Sequence, residues 1–297
     1  MNAPPFPTNP QPGDVYCGWT WNGSQWICTQ GQQIVTQVFT ASGVYTPSPG
    51  LLSLVVECVG GGGGGGPVST VAATQMGGGG GAGSGGMSRK ALSAALVRGG
   101  IIVTVGGGGL GETDSTSPGG VYSFSGGTTS FGALCTAIGG QGGGANTSEV
   151  SWGNAGLGGA PGIGDLAVPG NPGIPGTSAG ATTTLNVAGG AGGAIMGGGG
   201  LSALVPVGSS SPGFAGTGPG AGGAGGAVNQ IISAGVVGGH GASGVCIVTE
   251  YCFAEMGWSG GCGCGCGGGG KGMARIEATD AGWPGPRGGR YSGYGDD

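Results

Sequence analysis

Glycine occurs in unbroken runs at 60–66, 77–81, 106–109, 142–144 and 197–200, and it makes up 86 of 297 residues. Near-triplet stretches lie between the runs, such as Gly189-Gly190-Ala191-Gly192-Gly193-Ala194 and Gly222-Gly223-Ala224-Gly225-Gly226-Ala227. A chain of this kind lacks the side chains for an ordinary apolar core. Leu, Ile, Val and Phe together supply less than a fifth of it. Ordering each backbone unit costs roughly 1–2 kcal/mol, and glycine loses the most freedom, so disorder is the first alternative to consider. The composition is not that of a disordered linker, however. The formal net charge is only −5, and apolar β-type segments interrupt the runs. Collagen is excluded because glycine does not hold every third position over any long stretch.

A third solution is a bundle of polyproline II spirals. Each spiral turns once in three residues and rises about 3.1 Å per residue, with no internal hydrogen bonds. Its amides and carbonyls must pair with neighbouring spirals when buried. Only glycine lets backbones approach closely enough for that. A run of seven spans roughly 22 Å at this rise. The expected fold is mainly β and irregular, with essentially no α-helix. A small β-hairpin module precedes a β-strand framework that carries the glycine-rich polyproline II bundle.

Three regions follow from the pattern: 1–32, 33–251 and 252–297. In the first, a proline-rich lead precedes two short β-type runs separated by Asn22-Gly23, a hairpin signal. As a two-residue turn it makes Trp19 face Trp26 and Cys17 face Cys28. Directly opposed positions lie about 5.5 Å apart between Cα atoms, within disulfide range. In the second region, strands are expected at 37–40, 43–46, 51–59, 87–97, 101–105, 121–124, 128–138 and 244–251, with weaker candidates at 182–187 and 229–237. The 51–59 segment carries apolar residues on both faces, which predicts burial on both. Residues 252–297 form a Cys- and Gly-rich tail whose order depends on a partner or on cysteine pairing.

The order of segments over 39–251 resembles the glycine-rich domain of bacteriophage tail fibres and tail-tip adhesins. The matching elements are Phe39-Thr40 with Tyr45-Thr46-Pro47, and Leu54-Val55-Val56-Glu57-Cys58-Val59 running into poly-glycine. They continue with Ile102-Val103-Thr104-Val105-Gly106-Gly107, Gly126-Gly127-Thr128-Thr129-Ser130-Phe131-Gly132 and Ala137-Ile138-Gly139-Gly140-Gln141-Gly142-Gly143, and close with Gly244 to Tyr251. The resemblance implies strands beside a polyproline II bundle, with loops at one end touching a host-cell receptor. It also implies that the first and last body strands are neighbours, which allows a bridge between Cys58 and Cys246. Cysteines within the strands and the Cys-rich tail depart from the family pattern.

Nothing in the sequence proposes an enzyme. The only histidine, His240, sits among glycines as a surface or turn residue. The close acidic pairs, Glu250/Glu255 among them, are explained by solvation at least as well as by acid–base chemistry. No glycine run carries a phosphate-loop signature, and no cofactor is expected. The nine cysteines leave one free or bonded to another chain. Cys262, Cys264 and Cys266 are candidates for interchain disulfides. Metal binding is the alternative, although their spacing is not that of a zinc site.

The non-glycine inserts 67–76, 110–118, 145–152, 165–175 and 201–214 are the binding candidates, because loops on rigid scaffolds carry function. Val68, Val71, Trp152, Leu204, Val207 and Phe214 are the residues expected to be exposed there for a protein or glycan surface. Capping of the bundle is the plainer role for the same inserts. Lys and Arg number seven, four of them after residue 270, so nucleic acid is not an expected partner. The opening residues show no secretory signal, and no segment is long enough to span a bilayer as a helix.

The reading is a non-enzymatic virion adhesin, assembled in the host cytoplasm and exposed after lysis. Its partners would be other tail or fibre proteins, a host-surface protein or glycan, and further copies of itself. The alternatives are a purely structural virion component (fibre, decoration or connector) and, last, an ice-binding or cell-wall glycine-rich protein.

Overall fold

In a computed structural model, residues 8–16, 19–28, 32–68, 76–111, 123–146, 152–177, 185–230 and 235–253 are described. The chain divides into two compact units, 1–28 with 258–297, and 29–257. The body therefore begins a few residues before position 33.

In the first unit, β1 (Val15–Tyr16), β2 (Trp19–Trp21) and β3 (Trp26–Cys28) form a small antiparallel sheet in that order. The hairpin is present but its register differs from expectation. Trp21 pairs with Trp26 and Trp19 with Cys28, so Cys28 does not face position 17. Asn22 causes the shift. Its Oδ1 accepts from the amides of Ser24 (2.9 Å) and Gln25 (2.8 Å), which closes a four-residue loop instead of a two-residue turn. Cys17 itself lies outside the described residues.

The second unit contains β4 (Gln32–Phe39), β5 (Gly43–Tyr45), β6 (Leu51–Val59), β7 (Met76–Gly78), β8 (Met87–Ser93), β9 (Ile101–Thr104), β10 (Thr129–Phe131) and β11 (Cys135–Ala137). It continues with β12 (Leu166–Val168), β13 (Leu185–Val187), β14 (Leu204–Pro206), β15 (Ser209–Ser211), β16 (Ala227–Asn229) and β17 (Val245–Phe253). No α-helix occurs among the described residues. Ala94–Leu96 forms a 3₁₀ turn where the sequence suggested a continuing strand. The Thr128–Ile138 candidate splits into a hairpin of β10 and β11. Val121–Phe124 is not a strand where described, and of Asn229–Val237 only Asn229, the last residue of β16, and the isolated bridge at Val236 are β; Gln230 takes φ +50° and ends β16.

Two antiparallel sheets pack face to face. One has the order β12-β8-β6-β17-β4, the other β11-β10-β9-β5. Their shared core holds Tyr45, Leu54, Val56, Cys58, Leu92, Val103, Phe131, Cys135, Cys246 and Val248. Along β6 and β17 burial alternates, the period of a strand with one covered face. The second face of β6 is thus partly open, and Leu52 is exposed. The apolar pattern of 51–59 overstated its burial.

From this sandwich the chain passes directly into the glycine runs. Gly60 to Gly66 donate in turn to the carbonyls of Gly86, Gly127, Ala242, Gly83, Phe124, Gly239 and Gly80, all at 2.8–3.0 Å. Every third residue meets the same neighbour, and each step of three is answered by three residues back along the partner. That is the signature of antiparallel spirals with three residues per turn. The same run accepts from Gly109, from Gly140 and Gly143, and from Gly223 and Gly226. It therefore bonds to six surrounding spirals.

Two further spirals, 77–86 and 220–227, are enclosed in the same way. The first bonds to 60–66, 138–146, 152–160, 168–177, 187–193 and 220–227. The second bonds to 60–66, 77–86, 187–193, 197–203, 212–217 and 235–244. The described spirals thus form a hexagonal array with three at the centre. The ring runs 138–146, 123–127, 105–111, 235–244, 212–217, 197–203, 187–193, 168–177 and 152–160, each spiral hydrogen-bonded to the next. Residues of the three central spirals are buried. Ala221, Ala224 and Ala227 recur every third residue, so they share one side of their spiral, fully buried.

Close packing explains the glycine. A Cβ on Gly62 would stand 2.0 Å from the Ala221 carbonyl oxygen, and one on Gly65 would stand 1.8 Å from that of Ala224. Outer spirals have an open side. Gly107 would meet nothing within 4 Å, and Leu110, Phe124, Leu157, Ile174 and Leu201 point outward there.

Candidate functional site

The strands fix which end of the bundle is which. Spirals 60–66, 77–86 and 235–244 join β6, β8 and β17 at one end. At the other end lie the described residues Val68 and Met76, Gly111 and Ser123, Asn146 and Trp152, Thr177 and Leu185, and Gln230 and Gly235. These flanks are neighbours. Val68 bridges to Asn146 and to Val236, Met76 pairs with Asn229, and the Gly153 amide donates to the Gly78 carbonyl at 3.1 Å. The described flanks of the inserts expected to bind therefore meet at the far end, except 165–175. That segment is β12 followed by an outer spiral, not a loop.

Short strands and buried amides build this end. β15, β16 and β7 form one antiparallel sheet, and β13 and β14 pair beside it. Asn186 Nδ2 donates to the Gly77 and Val228 carbonyls at 2.9 and 2.8 Å, and Asn229 Nδ2 to that of Val205 at 2.9 Å. These two asparagines clamp segments distant in sequence, and no local pattern marks them. Such amides are valuable because buried backbone carbonyls at a sheet edge need donors.

The proposed contact residues divide into three groups. Trp152, Leu204, Val207 and Phe214 are all more than half exposed. Leu204 lies on β14 and Val207 in the turn between β14 and β15, and Trp152 opens its spiral at the same end. Val68 is a correction. It is 1% exposed and packs with Val228 and Val236, because the spiral continues one turn beyond Gly66 and takes Val68 inside. Val71 lies outside the described residues.

His240 is exposed on an outer spiral, where its Nδ1 accepts the Gly111 amide at 3.0 Å. It clasps two neighbouring spirals near the far end. Glu250 reverses expectation. It is fully buried on the core side of β17. Its carboxylate accepts from Tyr45 Oη (2.6 Å), the Ser48 amide (3.0 Å) and Ser48 Oγ (2.5 Å). Burial pushes its pKa up, but the bonds from Ser48, Tyr45 and Gln37 outweigh this and hold it below the ordinary glutamate value. Burial first, then the Glu250 carboxylate, push the Tyr45 phenol far above its usual range. This group fastens the 47–50 turn to the closing strand.

Cys58 and Cys246 lie opposite each other on paired strands, with sulfurs 3.7 Å apart as thiols. Cys262, Cys264 and Cys266 lie outside the described residues. No group of side chains suited to a metal ion forms among the described residues, and no helix there is long and apolar enough to cross a membrane.

No curated protein matches the chain. A family model described as a glycine-rich domain matches residues 37–251. This span begins within β4 and ends within β17, so it takes in the sandwich and the bundle. The chain belongs to the glycine-rich domain family.

Proposed function

We propose that this chain is a bacteriophage virion protein, a tail-fibre or tail-tip adhesin that meets a host-cell surface with the far end of its bundle. The observation that carries the reading is the gathering of the insert flanks at one end of a rigid hydrogen-bonded scaffold, with Trp152, Leu204 and Val207 exposed there. Rigid scaffolds with clustered loops are a recurrent binding design. Exposed aromatic and aliphatic side chains suit a protein or glycan face. The absence of Lys and Arg between positions 99 and 270 argues for a partner other than nucleic acid. The role is binding, with no chemical step. The N-terminal hairpin or the Cys-rich tail would attach the protein to the tail, with Cys262, Cys264 and Cys266 as candidate links between copies.

A structural role in a fibre or connector is the second reading. It is favoured by the exposed Leu157, Ile174 and Leu201 on the walls of the bundle, which would then lie against neighbouring subunits. Purified protein added to intact host cells separates the two. The adhesin reading predicts saturable adsorption, competition with phage, and loss of both when Trp152 and Leu204 are replaced. Absence of adsorption by a folded protein sinks it and leaves the structural role.

A further inference from the structure

The first strand to enter the bundle and the strand that leaves it, β6 and β17, are paired, and Cys58 and Cys246 are directly opposed in that pairing. Their sulfurs are 3.7 Å apart. Opposed residues on antiparallel strands have Cα atoms about 4.5–5.5 Å apart, inside the range a disulfide spans. Rotation of two side chains is then enough to bring the sulfurs to bonding distance. A third thiol, Cys135 on β11 of the facing sheet, lies in the same cluster. Its carbonyl accepts from Cys58 Sγ at 3.9 Å, and its own Sγ donates to the Ser88 carbonyl at 3.6 Å. All three thiols are buried.

We infer that Cys58 and Cys246 form an oxidation-dependent lock, a cross-strand disulfide that closes the chain into a ring containing every spiral of the bundle. The two residues are 188 positions apart. Cys135 remains a thiol because its hydrogen bond holds it towards β8. With a disulfide such as glutathione disulfide as oxidant, one glutathione sulfur first bonds to a cysteine and releases glutathione. The second cysteine then displaces the other glutathione. Two protein thiols become one disulfide, and the two electrons and two protons leave in two glutathione thiols. Closing so long a loop restricts the unfolded chain, so the bond opposes unfolding of the bundle as a whole. Hydrogen bonding to Cys135 and Cys246, and then burial, push the Cys58 thiol upward. The reaction in the folded protein is therefore slow and proceeds on opening or during folding. A cytosolic chain stays reduced and locks after reaching an oxidising medium.

The test uses the full chain incubated with glutathione disulfide, then alkylated in denaturant, digested and mapped by mass. The expected product joins the Cys58 and Cys246 peptides and leaves Cys135 alkylated. It is also expected in Cys135→Ser. Thermal unfolding should shift upward on oxidation and return with reductant in the parent chain, but not in Cys246→Ala. A Cys58–Cys135 linkage overturns the inference. So does full alkylation of both Cys58 and Cys246 after an incubation that also covers thermal opening. Mapping of the unsubstituted chain decides the matter even if the variants fail to fold.

Discussion

At the scale of single residues, two glycines in similar sequence surroundings have opposite roles. Gly65 faces the Ala224 carbonyl so closely that a methyl group would stand 1.8 Å from its oxygen, whereas Gly107 faces open space. Neither has a positive φ, so the contrast is one of packing alone. Gly65→Ala is expected to destabilise the protein by roughly 3 kcal/mol or more, since a backbone on each side must move. Gly107→Ala should change stability by about 0.5 kcal/mol or less. Denaturant unfolding of both variants measures the difference. Glu250 sets a pH dependence of known sign. Its pKa in the folded chain lies below the ordinary glutamate value, so the folded state binds fewer protons. Its contribution is complete above that ordinary value and is lost as pH falls through the folded one. Unfolding midpoints of the parent chain should fall below about pH 4.5, and Glu250→Gln should flatten that portion of the profile. A drop of equal size in the variant would assign the loss to other carboxylates.

At the scale of elements, the spirals and strands follow different rules, and the sequence reveals them unequally. β6 was legible to the residue, because Leu51 to Val59 is apolar and β-branched and ends abruptly at glycine. The poly-glycine spirals were legible because few other structures satisfy such runs. Short strands such as β13 to β16 were obscure. Three-residue pieces carry too little periodicity, and buried amides of Asn186 and Asn229 decide where they pair. The Asn-Gly dipeptide alone points to the wrong hairpin register, because the Asn22 side chain shapes the loop. Val68 and Trp152 looked alike as insert residues, but one continues an inner spiral and the other starts an outer one. The difference gives a paired prediction. Val68→Ala should cost about 1–3 kcal/mol and leave adsorption by the folded fraction intact. Trp152→Ala should cost about 0.5 kcal/mol or less and reduce adsorption. Calorimetry and cell-binding assays read the two quantities separately.

At the scale of the whole body unit, order comes from backbone pairing more than from side-chain burial. The oily core is confined to the sandwich, and beyond it small apolar clusters sit at the far end. Each backbone bond contributes about 1 kcal/mol net, so no spiral is stable alone. The array becomes stable only when the central runs are enclosed, which predicts cooperative unfolding of bundle and sandwich together. Hydrogen exchange of amides 60–66 tests this most directly, because successive amides bond in turn to three different spirals and none to a helix or ladder. The account predicts that all seven exchange as slowly as the β6 and β17 amides in the sandwich, through global opening alone. Exchange of these glycines at the rate of an open chain, while β6 and β17 stay protected, would contradict it.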